Sequence, residues 1–197
     1  MAADAHAATA LAIRKSGSGK SPGSAGRPAR SPLLQLAAGT GLVLIGTSAM
    51  MLTASPALAA SSKVRITKLS DVAFGSIANL GVDSSQSQSV CLYSDTNTSG
   101  YNITATGAGP GGAFQLSSGP IALTYEVQWN NSSGQSSGIQ LSPNVPLTGQ
   151  TSTATQQTCN NGPPTSASLI ILFRSGVLSS ARAGSYSGTL TLVVGPE

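Results

Sequence analysis

Past residue 60 this sequence has no histidine and little else that titrates. Its one histidine is His6, and charged residues make up only 8% of the chain. Glu126 is the one glutamate before the last residue, and the aspartates after residue 60 stand apart at Asp71, Asp83 and Asp95. These shortages exclude chemistry. A serine triad lacks its imidazole base there, and a zinc site lacks histidine ligands. Asp95 and Glu126 are the nominal pair for carboxylate acid–base work, but turn or surface roles explain each more simply. No catalytic residue, metal site or cofactor is expected, and the expected role is non-enzymatic.

Excess charge is missing as well, despite a formal net charge of +4. Arg14, Lys15, Lys20, Arg27 and Arg30 all precede residue 60. After it, Lys63, Arg65, Lys68, Arg174 and Arg182 are balanced by Asp71, Asp83, Asp95, Glu126 and Glu197. A neutral domain has none of the clustered Lys and Arg that nucleic acid requires, so no nucleic-acid partner is expected.

Helical periodicity is also lacking after residue 60; only "SGVLSSARAG" (175–184) has room for one short turn. What is present is alternation. "IALTYEVQW" (121–129) sets Ile121, Leu123, Tyr125, Val127 and Trp129 against Ala122, Thr124, Glu126 and Gln128. "GYNITATG" (100–107) alternates in the same way, and "ASLIILF" (167–173) is apolar on both faces, as a central strand is. Shorter pieces are "VRI" (64–66), "VAFGSI" (72–77), "SVCLY" (89–93) and "FQL" (114–116). Turn-forming clusters such as "GAGPGG" (107–112), "NNSSGQSSG" (130–138) and "CNNGPP" (159–164) separate them. Short strands with frequent turns predict an all-β protein, a β-sandwich. Trp129 ends an apolar face, which favours a core position over an aromatic platform for sugar.

The first third differs in kind. A basic region is followed by the uncharged run "LLQLAAGTGLVLIGTSAMMLTA" (33–54) and then by "SPALAAS". Basic region, apolar run and small-residue end are the parts of a secretory signal, cut after Ala59 or Ala60. The long basic stretch suggests a start codon further downstream. The competing reading is an uncleaved span, since the run has about the 20 residues a span needs; its Gly, Ser and Thr content and the Ala-x-Ala end favour cleavage. The expected layout is a leader at 1–59 and one exported domain at 60–197, with no membrane segment after cleavage. "SGSGKS" (16–21) mimics a phosphate-binding loop, but Arg14 stands where its first glycine belongs.

Export changes how Cys91 and Cys159 read. An even count in an oxidising compartment favours a disulfide; two free structural thiols are the competing reading. The final run, "AGSYSGTLTLVVGPE" (183–197), places Tyr186, Gly188, Leu190, Leu192 and Val194 on one face. It leaves an apolar strand edge with no later strand to pair it, and such edges invite other chains.

In order along the chain, "VAFGSI", "SVCLYSDTNTSGYNITATG" (89–107), "GAFQLSSG", "LTYEVQW", "TCNNGPPTSASLIILF" and "AGSYSGTLTLVV" resemble the spore coat protein U domain family, the subunits of archaic chaperone–usher pili. The resemblance spans about residues 63–197. It implies an immunoglobulin-like, pilin-type sandwich that lacks its last strand and is completed by a donor strand. Its implied partners are a periplasmic chaperone, an outer-membrane usher and neighbouring subunits, and its implied location is the periplasm and then the cell surface. Tyr186, Leu190, Leu192 and Val194 would line the acceptor groove. "SSKVRITKL" (61–69) would be the donor, with Val64, Ile66 and Leu69 as plugs, unless the subunit donates nothing and sits at a fibre tip. Family members commonly carry a cysteine near the "FG" segment, and here none precedes Cys91, so a bridge to Cys159 spans a different part of the fold. Outside the resemblance, the alternatives are a self-contained secreted binding module and a coat structural protein.

Overall fold

The computed structural model describes residues 62–197 in full and residues 7–15 as backbone. Among the described residues twelve strands form, in chain order β1 (Ala7–Lys15), β2 (Val64–Thr67), β3 (Val72–Ile77), β4 (Ser84–Ser94), β5 (Gly100–Thr106), β6 (Gln115–Ser118), β7 (Ile121–Thr124), β8 (Glu126–Asn130), β9 (Ile139–Gln140), β10 (Leu147–Thr151), β11 (Ala167–Phe173) and β12 (Gly184–Pro196). A short α-helical turn, α1 (Ser175–Leu178), buries Leu178, and Pro110–Gly112 make a 3-10 turn. The strands make two sheets. One runs β2-β4-β11-β8-β9; the other runs β10-β5-β12-β1-β3, with β6 and β7 continuing beside β12. All pairings are antiparallel except β1 with β12. The protein is an all-β sandwich.

Alternation builds the core. β5, β8 and β12 each turn every second residue inward, and their inward residues (Tyr101, Ile103 and Ala105; Val127 and Trp129; Tyr186, Leu190 and Leu192) are buried. β11 lies between β4 and β8 in the middle of its sheet, and six of its seven residues are buried; on its outer face Ser168 bonds to the loop at Ser132 and Gln135. The two sheets meet through Trp129, whose Nε1–H donates to the Tyr101 hydroxyl at 2.8 Å while the rings pack edge to face. Trp129 is fully buried, so it offers no sugar platform.

The run 121–129 reads as one strand but is divided between the sheets. β7 pairs with β6 in one sheet and β8 pairs with β11 in the other. Tyr125 is the crossing point, its N–H donating to the Phe114 carbonyl at 3.0 Å. Leu123, Tyr125, Val127 and Trp129 all stay buried across the break, because the space between the sheets is interior to both.

The cysteines do form a disulfide, with Cα atoms 5.9 Å apart. Cys91 lies on the outer face of β4, opposite to inward-facing Val90 and Leu92, and packs with Cys159, Ala154 and Tyr93 in a small second cluster. The bridge thus holds the loop between β10 and β11 against the back of the sheet. At another corner, the Arg174 guanidinium grips both Glu126 carboxylate oxygens at 3.0 and 2.7 Å and reaches Asp83 at 3.1 Å. The Ser175 N–H, aided by Arg174, holds the Asp83 carboxyl below its usual range.

Burial pushes the Tyr101 hydroxyl up to about 12, against a smaller opposing effect of the Trp129 hydrogen bond, and burial pushes Tyr125 up as well. The unfolded chain loses these protons near pH 10 while the folded chain keeps them, so the unfolded state binds fewer protons and stability falls as pH rises. Stability should be level up to about pH 10 and then drop by up to about 1.4 kcal/mol per pH unit for each tyrosine. Urea titrations across pH 8–12 measure this, and the Tyr125→Phe variant should show the shallower decline.

Candidate functional site

The C-terminal strand is held differently on its two sides. On one side, Thr191–Pro196 of β12 pair with β5, and Ser187 pairs with Ser117 of β6. On the other side its partner is β1, parallel, in a register running from Ala7 opposite Gly184 to Lys15 opposite Leu192. The opposite edge of β1 pairs antiparallel with β3, from Ala7 opposite Ile77 to Leu11 opposite Val72. β3 and β12 are therefore not bonded to each other. They flank a slot one strand wide, with their backbones about 10 Å apart, two strand spacings.

The walls of the slot follow from local sequence. On β3, Val72 and Ile77 are buried and Phe74 packs edge to face on Phe173. Gly75, at φ +63°, takes a left-handed conformation close to where the β1–β3 register shifts. Glycine adopts that conformation without strain, which lets the strand bulge. On β12, the Tyr186 hydroxyl donates to the Arg182 carbonyl at 2.9 Å and anchors the start of the strand. Gly188 is needed for space: a Cβ there would lie 2.9 Å from both the Gln115 carbonyl oxygen and Leu116 Cδ2 of β6. Crowding by β6 accounts for that glycine of the "AGSYSGTL" stretch.

Tyr186, Leu190, Leu192 and Val194 all face inward and are buried. The first three lie within the stretch that pairs with β1; Val194 lies past its end, opposite Ile103 of β5. Val64, Ile66 and Leu69 have a different place from the donor role. Val64–Thr67 form β2, antiparallel to residues 91–94 of β4, Ile66 is fully buried, and Val64 and Leu69 pack on the core. Asp95 fastens that strand, accepting from the Lys63 N–H while its own N–H donates to the Lys63 carbonyl at 3.0 Å. Donating this segment would expose Ile66 and unpair the end of β4. In this arrangement the three residues serve the chain's own sheet and core.

Asp95 and Glu126 do not converge. Glu126 pairs with Leu172, which pairs with Ser85 near the start of β4, whereas Asp95 follows the end of β4, about 30 Å away at the usual strand rise. Ala59 and Ala60, the apolar run 33–54 and the "SGSGKS" stretch lie outside the described residues. No helix among the described residues is long and apolar enough to cross a membrane.

β1 is the part of the site that sequence reasoning missed. Its "AATALAIRK" does alternate in sequence, Thr9, Leu11 and Ile13 being separated by alanines. The signal is short and sits in a basic, alanine-rich leader. No protein-family model matches the chain, and no curated protein is similar to it.

Proposed function

We propose that this chain is a non-enzymatic subunit of a surface fibre of the chaperone–usher kind, exported and then assembled by strand addition. The observation that carries the reading is the slot between β3 and β12, filled by a strand that precedes the expected cleavage point. Cutting after Ala59 removes β1 from the domain and leaves two sets of backbone donors and acceptors, and an apolar interior, to be covered from outside. A pilus chaperone and then a neighbouring subunit would supply that strand, with backbone hydrogen bonds giving affinity and the alternating inward positions giving register. The ordered resemblance of residues 63–197 to the spore coat protein U family supports the same reading.

The position of β2 supports a place at the end of a fibre. After the cut only Ala60-Ser61-Ser62-Lys63 precede β2, fewer than the about 5–6 residues of an ordinary strand. A subunit that accepts a strand and donates none terminates the fibre, so we place it as a minor or tip subunit in adhesion.

Periplasmic expression of residues 60–197, with and without a cognate pilus chaperone, tests the function. Soluble protein recovered only in an equimolar complex with the chaperone is the expected result. A soluble monomer with one cooperative melt, formed without a chaperone, would make a self-contained secreted binding module the better account.

A further inference from the structure

At the sandwich edge away from the slot, β9 and β10 belong to different sheets and flank a cleft of about 380 Å³ whose lining includes Trp129, Asn130, Asn131, Gly138, Ile139 and Gln150. We propose that this cleft binds a neutral saccharide. Its volume is within the range of small-ligand sites, roughly 300–1,000 Å³.

The wall is fixed by contacts within the chain. The Asn130 amide donates to the Ser137 carbonyl at 3.0 Å and accepts from the Ser132 N–H at 2.9 Å. The Gln135 N–H donates to the Ser168 hydroxyl at 3.0 Å, and the Gly138 N–H to Gln128 Oε1 at 3.0 Å. Gly138 lies so close to β8 that a Cβ would be 2.3 Å from the Trp129 carbonyl oxygen.

What remains unused defines the ligand. Gln150 is only 7% exposed, and its Nε2 donates to the Thr148 carbonyl at 3.1 Å, which leaves Oε1 without a partner among the described residues. Asn131 likewise makes no side-chain hydrogen bond among them, while Ile139 is 52% exposed beside it. Amides that both donate and accept suit hydroxyl groups, and an aliphatic wall suits the C–H face of a sugar ring. Among the described residues no charged side chain lines the cleft, which disfavours carboxylate or phosphate ligands, and the buried Trp129 gives no exposed ring for a nucleobase. In sheet order the cleft-lining β10 is three strand spacings, about 14 Å, from β1, so a filled slot leaves the cleft open. The proposal stands whether or not the strand-addition reading does.

Saturation-transfer NMR and calorimetry on the full chain would test it, using the methyl glycosides of glucose, galactose, mannose and N-acetylglucosamine, with N-acetylneuraminic acid as the charged comparison. The expected result is saturable binding of at least one neutral glycoside, weakened at least tenfold in Asn131→Ala and in Gln150→Leu. Ile139→Ala, on an exposed edge, provides a second surface variant if the Gln150 change prevents folding. Absence of saturable binding by all four glycosides, binding unchanged in both Asn131→Ala and Ile139→Ala, or preferential binding of the charged sugar would overturn the proposal.

Discussion

Replacing Cys91 and Cys159 with serine is expected to lower the stability of the folded domain by about 4 kcal/mol. The bridge closes a loop with a sequence separation of 68, and the chain entropy it removes from the unfolded state is of that size. The native state loses as well, because Cys91 and Cys159 are the centre of a buried cluster with Ala154, where serine hydroxyls would need partners. Domains are stable by only about 5–15 kcal/mol, so the loss is a large share of the total. Urea melts with and without dithiothreitol, alongside the double variant, would measure it. Equal midpoints in oxidised and reduced protein would show that the loop between β10 and β11 is held by other contacts.

Trp129→Ala should be nearly as damaging. Truncating a fully buried large aromatic costs about 3–5 kcal/mol through lost transfer energy and the cavity left behind. Trp129 also joins the two sheets through Tyr101. Trp129→Phe keeps most of the volume but leaves the Tyr101 hydroxyl without its donor, a loss of about 1–3 kcal/mol. Denaturant midpoints for the two variants would separate packing from the hydrogen bond. A Trp129→Ala loss below about 1 kcal/mol would mean that the side chain is not part of the core.

Much of this architecture was legible in the sequence because alternation is a direct record of burial. The inward residues of β5, β8 and β12 can be read off one by one, and the lone cysteine pair met as expected. The signals failed where burial did not govern. β4 begins at Ser84, but "SSQSQ" carries no apolar residue, so only its end, "SVCLY", read as a strand. Gln88 shows how the polar part is held: its amide accepts from the Ser70 N–H at 2.9 Å and donates to the Ser70 carbonyl at 3.1 Å, as a strand backbone would. β9 is an edge strand of only two residues, and β10 has a single large apolar residue, Leu147.

The slot was half legible. Its β12 wall follows from the final alternating run, whereas its β3 wall and its occupant depend on pairing between distant segments, which local sequence does not record. β2 was half legible for a related reason. "VRI" has the alternation of a strand, and alternation does not say which sheet the strand joins; the Lys63–Asp95 backbone contacts and buried Ile66 commit it to β4.

On the strand-addition reading, residues 60–197 require a strand from outside themselves. The most direct measurement is the thermal melt of that domain with and without a synthetic peptide of residues 7–15, followed across peptide concentrations. The domain alone should melt low or aggregate. Added peptide should then raise the melt with the logarithmic concentration dependence of a ligand that binds only the folded state. A high cooperative melt that the peptide does not move would contradict it.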